Sequence, residues 1–319
     1  MINSSISESD FKEYLELIEQ GMSQRSACDV LSLSRSSVQR YIKKIGELSN
    51  SDVADTTVDD KVANKPKVLF YDIETLPNIS AHFGNWNENL PHKQRIQESC
   101  LLSHSWCWGN DGEIHGSVLT PTEAINRDDE RLVLELWSLL DNADIVIGHN
   151  ISRYDNKKAN AYFIKYGLPP VSPFKSIDTL SIAKRKFKFE FNSLAYLAKY
   201  LGVTDKIEND GMPLWIDCHL GKQEALNTML RYNIGDVKTQ REVYNILKSY
   251  DNNGVNMSLY DSTECLKCVS CGSHNVSMLT NKLVYTPSNK YLAYRCSDCS
   301  IVMRGNKSGE LSDKLVRVI

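Results

Sequence analysis

The sequence predicts an α/β protein: a mixed sheet flanked by helices, with a small all-α domain before it and a small β domain after it. Three observations carry this prediction. Between residues 67 and 252, short apolar runs such as Val68-Leu69-Phe70-Tyr71 and Ile145-Val146-Ile147 alternate with segments whose apolar residues recur at helical spacing. Residues 1–48 show helical spacing alone, and residues 253–319 hold two Cys-x-x-Cys pairs around a stretch rich in Val and Tyr. A chain of 319 residues has room for about two domains and a large core.

In residues 1–48, Phe11, Leu15 and Ile18 define a first helix that Gly21 ends. Ser23 can cap a second helix carrying Ala27, Val30 and Leu31. A turn through Leu33 and Ser34 leads to a third, bearing Val38, Tyr41, Ile42 and Ile45. The segment SQRSACDVLSLSRSSVQRYIKK looks like a resolvase-type helix-turn-helix, in which the small Ala27 lets two helices cross closely and Leu33 fills the turn. Arg35, Arg40, Lys43 and Lys44 on the last helix would meet phosphates or base edges. A three-helix bundle with a solvated basic face, or one binding another protein, reads the same residues. Residues 49–66 are rich in Ser, Thr and Asp and lack aromatics, a composition expected of a flexible acidic linker.

From residue 67 onward the expected elements are a buried strand at Val68–Tyr71, a strand near Leu101–Trp108 and another near His115–Leu119. Asn110-Asp111-Gly112 supplies a hairpin turn between the last two. Thr122 to Leu140 reads as one helix with Leu132, Leu136 and Leu140 on a single face. Ile145–Ile147 is a short buried strand ending at Gly148. A final helix runs from about Leu226 to Leu247, with Leu230, Ile234, Val237 and Tyr244 inward.

Cys268-x-x-Cys271 and Cys296-x-x-Cys299 form a zinc-ribbon signature, four thiolates for one structural Zn²⁺ that contributes folding energy. Cys265 offers a competing register, and Gly272 favours the later pair because it permits the tight turn after Cys271. Lys267, Lys282, Lys290, Arg295 and Arg304 make this ribbon basic, suited to nucleic acid or to docking a protein. The net charge of −3 excludes a uniformly basic coat while leaving room for a local basic groove. Nine cysteines with two metal-type pairs, no secretory signal in MINSSISESD and no bilayer-length apolar run predict a soluble cytoplasmic protein without a membrane partner.

Three acidic signatures follow one another on these elements. Asp72 and Glu74 lie two apart at the end of a buried strand and share a face. Asp155 follows the Ile145–Ile147 strand through the turn beginning at Asn150. Tyr232 and Asp236 lie four apart on a helix. Converging carboxylates suit Mg²⁺ or Mn²⁺, and two such cations ~3.5–4 Å apart can flank a phosphodiester bond.

Read as motifs, these are Asp72-x-Glu74, Asn150-x-x-x-Tyr154-Asp155 and Tyr232-x-x-x-Asp236. Together they resemble the DEDDy subgroup of DnaQ-like 3′–5′ exonucleases, which have the ribonuclease H-like fold. The stretches Asp178-Thr179-Leu180 and Asn192 to Ala198 look like further segments of these enzymes. The layout with flanking modules is most similar to stand-alone bacteriophage exonucleases, which would place the chain in a host cytoplasm. The resemblance implies a two-metal hydrolysis of single-stranded DNA from its 3′ end, or of RNA by the same carboxylates. It implies that Asp72 bridges two Mg²⁺ or Mn²⁺ ions, that Glu74 and Asp236 complete the first, and that Asp155 holds the second. Tyr232 would orient the attacking water, since a tyrosine's ordinary pKa of ~10 disfavours proton abstraction at neutral pH. Thr75, Leu76 and Asn150 match positions that contact substrate, Leu76 as a wedge at the terminal nucleotide. A replication or recombination protein is an expected partner. A DNA-binding regulator with an idle central domain is the rival reading.

Single motifs are weak. Asp128-Asp129-Glu130 repeats the first without a preceding strand and reads as acids near a helix N-terminus, and Tyr294-x-x-x-Asp298 falls in a zinc knuckle. His149 reads as a turn histidine bonded to backbone. Lys184-Arg185-Lys186-Phe187-Lys188 suits a phosphate backbone or a solvated helix end equally. Trp106 and Trp108 read as core, while Phe83 could stack on a base.

Overall fold

The computed structural model describes residues 7–19, 22, 24–34, 38, 65–84, 91–110, 112–203, 211–260, 265–287 and 289–308. By contact density it divides into two units, Met1–Val62 and Ala63–Ile319, which are taken separately. In the first, α1 (Glu8–Glu19) and α2 (Gln24–Val30) pack Tyr14, Ala27, Cys28, Leu33 and Val38 into a small core. Ala27 is fully buried and Leu33 closes the turn, its amide donating to the Cys28 carbonyl at 2.8 Å. Val30, at the end of α2, is 62 % exposed, while Cys28 is buried beside Ala27. The expected third helix with Arg35, Arg40, Lys43 and Lys44, and most of the expected linker, lie outside the described residues.

The second unit is built on a five-stranded mixed sheet in the order β5-β4-β1-β6-β7. Its strands are β1 (Val68–Thr75), β4 (Leu101–Trp108), β5 (His115–Val118), β6 (Ile145–Gly148) and β7 (Lys175–Asp178). β1 is antiparallel to β4 and parallel to β6, and β6 is parallel to β7. A small ribbon, β2 (Ile79–Ser80) with β3 (Arg95–Gln97), lies between β1 and β4 in sequence. β1 is longer than its apolar run: it continues through both acids to Thr75, held by β4 partners Ser105 and Ser103, and bulges after Glu74. Both faces of β1 are covered. Leu69, Tyr71 and Ile73 face one core cluster and Phe70 the other, the alternation a strand imposes.

The helices are α3 (Pro121–Asn126), α4 (Glu130–Asp141), α5 (Asp155–Lys165), α6 (Thr179–Lys186), α7 (Leu194–Leu201), α8 (Met212–His219) and α9 (Gln223–Leu247). Leu132, Leu136 and Leu140 of α4 are buried as their spacing requires. Burying such side chains stabilises the fold by ~1.5–3 kcal/mol each.

The single helix expected over Thr122–Leu140 is instead two. α3 has a capping box, with the Thr120 amide donating to Glu123 Oε2 at 2.8 Å and Pro121 in its first turn. It ends at Arg127, whose φ of 53° leaves the helical region. The compensation is tertiary: the Arg127 guanidinium donates to the carbonyls of Pro77 (2.6 Å) and Glu98 (2.8 Å). The break also seats the fully buried Asp129, whose carboxylate accepts from the Leu101 amide (2.7 Å), Lys165 Nζ (2.8 Å) and the Tyr166 hydroxyl. The acid at this helix start therefore anchors the beginning of β4.

After α9 the chain forms the cysteine-bearing sheet β10-β9-β8, from β8 (Val276–Tyr285), β9 (Lys290–Cys296) and β10 (Val302–Ser308), all antiparallel neighbours. It belongs to the same compact unit as the large sheet. The Met257 amide donates to the Val269 carbonyl at 2.7 Å, and Arg185 of α6 pairs with Asp251 at 2.6 Å just beyond α9.

Candidate active site

The sheet order puts the ends of β1 and β6 side by side, and α9 lies across β4, β5 and β1. Its close approach depends on Gly116 in β5, where a Cβ would stand 2.7 Å from both Leu230 Cδ1 and Ser105 Oγ. Asp236, 5 % exposed, thereby reaches Asp72 and Glu74 on β1; one carboxylate oxygen from each lies within 4.8 Å of the others. Three carboxylates this close repel one another, and a divalent cation among them would offset that repulsion. An all-oxygen donor set of this kind fits Mg²⁺ or Mn²⁺.

Asp155, the first residue of α5, stands beside this cluster rather than within it. Its Oδ1 accepts from the Ile73 amide at 3.3 Å, between the two β1 acids. The turn that delivers it needs a left-handed residue, and Asn150 provides it at φ 65°. The Asp178 carboxylate at the end of β7 accepts from the Asn150 (3.0 Å) and Ser152 (3.4 Å) amides while capping α6 through the Leu180 amide at 3.0 Å. Burial, above all, pushes the Asp155 carboxyl up to about 7; backbone hydrogen bonds oppose the shift and the Asp178 charge adds to it.

The sign of that shift gives a test. With the folded value raised above the ordinary carboxyl range, Asp155 contributes most stability when protonated, and that contribution is lost as pH rises toward and through 7. In EDTA, thermal melts should fall from pH 5 to pH 8 more in the parent than in Asp155→Asn. Equal slopes would remove Asp155 as the cause.

Tyr232 is 6 % exposed, one helical turn before Asp236, with its ring edge-on to Trp215 at 6.2 Å. Thr75 Oγ1 lies 3.3 Å from the hydroxyl of Tyr154, which is 42 % exposed and forms part of the rim. Leu76, expected as a wedge against a terminal nucleotide, is fully buried within the large core cluster; the bulge after Glu74 turns it inward and leaves no surface to meet a base. His149 is bonded as a turn histidine, Nδ1 to Thr179 Oγ1 at 2.9 Å and Nε2 to the Asn192 carbonyl at 3.0 Å. Trp106 and Trp108 pack on the core, and Phe83 is fully exposed.

Two residues that motif reading missed hold the site. Asn233, fully buried, donates from Nδ2 to Asp72 Oδ2 at 2.7 Å and accepts from Ser103 at 3.2 Å. Gln240 donates to the Tyr71 carbonyl (2.9 Å) and accepts from the His149 amide (3.2 Å), tying the β1 and β6 ends together. The available signal was an amide side chain on the inward face of α9, one residue after Tyr232 and four after Asp236. Partners of metal-ligand carboxylates typically matter about 10–100-fold. Asn233→Ala should lower kcat by that order, with a larger requirement for metal, while Asn233→Ser recovers part of it. Unchanged kcat and metal dependence would limit Asn233 to packing.

The second cluster is the sulfur set. Cys268, Cys271, Cys296 and Cys299 have Sγ atoms within 4.8 Å of one another, with Cys268···Cys299 at 3.5 Å and Cys271···Cys296 at 3.7 Å. Tetrahedral Zn²⁺ with Zn–S bonds of ~2.3 Å would place its sulfurs about 3.8 Å apart, so the thiols fit that ion. The later register is the one formed: Cys265 is exposed outside the cluster, and Gly272 turns at φ 72°. Burial pushes the Cys268 thiol up to about 11 and Cys271 higher still, and bound zinc would reverse that by holding thiolates. Among the described residues no helix is long and apolar enough to cross a membrane.

The match to a family model agrees with this architecture. Residues 97–248 match a family model described as RNase_H superfamily; β1 with Asp72 and Glu74 precedes the matched span, yet is the central strand of the same sheet. A family B DNA polymerase from the hyperthermophilic archaeon Pyrobaculum calidifontis is similar at 15% identity and a TM-score of 0.45, covering 63% of this chain and 28% of that one. No curated protein matches the chain. Residues 97–248, just under half of the chain, are thus similar to the ribonuclease H superfamily.

Proposed function

We propose that the chain is a metal-dependent 3′–5′ exonuclease that shortens single-stranded DNA, or RNA through the same carboxylates, to nucleoside monophosphates. The observation supporting this most is the convergence of Asp72, Glu74 and Asp236 at the end of the central strand, with Asp155 bonded to the backbone between the two β1 acids. Two divalent cations, when bound, supply the positive charge that activates water and stabilises the departing oxygen. Asp72, Glu74 and Asp236 would hold one of them, and Asp72 with Asp155 the other. Asn233 fixes the rotamer of Asp72, so one carboxylate oxygen is committed before substrate arrives. Asp236, fixed on a buried helix face, needs little reorganisation during reaction. Tyr232 shares that face and would orient the attacking water through its hydroxyl. Thr75 and Asn150 line the approach to the acids as candidate substrate contacts.

The thiol cluster is proposed to hold one structural Zn²⁺. The N-terminal unit is proposed to bring the enzyme to nucleic acid. The experiment uses 5′-labelled and 3′-labelled single strands of one sequence with Mg²⁺ or Mn²⁺. A stepwise ladder from the 5′ label, with immediate release of labelled mononucleotide from the 3′ label, is expected. Internal cuts or shortening from the 5′ end would sink the directional assignment.

A further inference from the structure

We propose that an aromatic strip formed by residues 187–191, α7 and the turn after α9 carries an unpaired polynucleotide strand into the acidic cluster. This rests on the nuclease reading above and names how its substrate arrives. Six rings touch in series. Phe191 meets Tyr196 at 5.5 Å, Tyr196 meets Tyr200 at 5.9 Å and Tyr200 meets Phe189 at 5.1 Å. Phe189 then meets Phe187 at 4.9 Å, and Phe187 meets Tyr250 at 5.0 Å. Phe187, Phe189 and Tyr196 are partly buried against the core and give the strip a rigid base. Phe191, Tyr200 and Tyr250 stand 67 %, 63 % and 60 % exposed, an arrangement that leaves their faces unburied unless something covers them.

One end of the strip lies beside the turn that carries Asn150 and delivers Asp155. Asn192, next to Phe191, accepts through its carbonyl from the ring of His149, the residue before Asn150. The far end is pinned, since Arg185 pairs with Asp251 and Lys186 with Asn252, directly after Tyr250. The charge suits a polyanion. Lys184, Lys188 and Lys199 are exposed along the strip, and Glu190 is the one acid between residues 184 and 200. Exposed rings flanked by lysines bind unpaired strands, because each base offers a face and each nucleotide a phosphate. Paired bases offer no free face, so the strip would select single strands and leave the sugar unread.

The test measures equilibrium binding of fluorescent oligo-dT and oligo-rU of about 12 nucleotides. The full chain carrying Asp72→Ala is used so that the probe survives. Phe191→Ala and Tyr200→Ala should each weaken binding about ten-fold, and Phe191→Trp and Tyr200→Phe should restore it. In chains with Asp72 intact, hydrolysis of a dinucleotide too short to reach the strip should be unchanged. Equal losses on dT and rU support the sugar-blind track, and a loss on only one would overturn it. Unchanged affinity in the double alanine variant would overturn the proposal, leaving the rings to packing or to a protein. Parallel loss of dinucleotide hydrolysis would overturn it as general damage. Ring-dependent binding by a parent chain that never cleaves would support the track while sinking the nuclease reading.

Discussion

Asp72→Ala should reduce hydrolysis of single strands by roughly a thousand-fold or more, since about 4 kcal/mol of transition-state stabilisation corresponds to that factor. Asp72 stands at the centre of the acid cluster: it lies with Glu74 and Asp236, pairs with Asn233, and precedes Ile73, whose amide holds Asp155. The loss should appear in kcat, with oligonucleotide affinity in EDTA unchanged, because binding without cations does not use this carboxylate. Its melting point in EDTA should move little, because the relief of repulsion among the acids is offset by leaving the buried Asn233 amide without its Asp72 partner. Steady-state kinetics and melts of the two proteins decide it. Residual activity within ten-fold of the parent would place the chemistry elsewhere.

The second large effect is expected from the sulfur site. The purified chain should carry one Zn²⁺, measured by elemental analysis, and a strong chelator should unfold the region around β8, β9 and β10. Apparent binding energies of structural zinc run to about 10–16 kcal/mol, more than so small a sheet gains from its own core of Cys268, Cys296, Ile301 and Met303. Cys296→Ser should have the same effect as chelation, whereas Cys265→Ser should leave zinc content and melting unchanged, because Cys265 lies outside the cluster. The disturbance should reach the domain of the large sheet, since the Met257 amide beyond α9 donates to the carbonyl of Val269, the residue after Cys268. A chain that binds no zinc and keeps its melting profile in chelator would refute the site.

What could be read in the sequence was what depends on local pattern. β1 and β6 announced themselves as apolar runs, α4 through Leu132, Leu136 and Leu140, and the thiol set through two Cys-x-x-Cys spacings and Gly272. What escaped depends on partners far away in the chain. Arg127 breaks a periodic helix because the carbonyls of Pro77 and Glu98 await its guanidinium. Leu76 turns into the core because the strand bulges after Glu74, and no spacing rule encodes a bulge there. Asn233 looks like any helical asparagine until Asp72 and Ser103 are seen beneath it. Val30 fits the spacing of an inner residue and still faces water, because a helix of 7 residues has too few turns to define a face.

The contact between Asn233 and Asp72 spans 161 residues of sequence, and that between Asp155 and Ile73 spans 82. Domains fold as units during synthesis, and long-range contacts come late because their loop-closure entropy must be met first. The acids of the candidate site come together only once α9 is made: β1 emerges from the ribosome with two of them and nothing to complete the cluster. On the proposed function, the nascent polypeptide would stay inactive toward nucleic acid until α9 has emerged and docked. On that reading, the order in which the chain is translated would keep the enzyme from acting before it is complete.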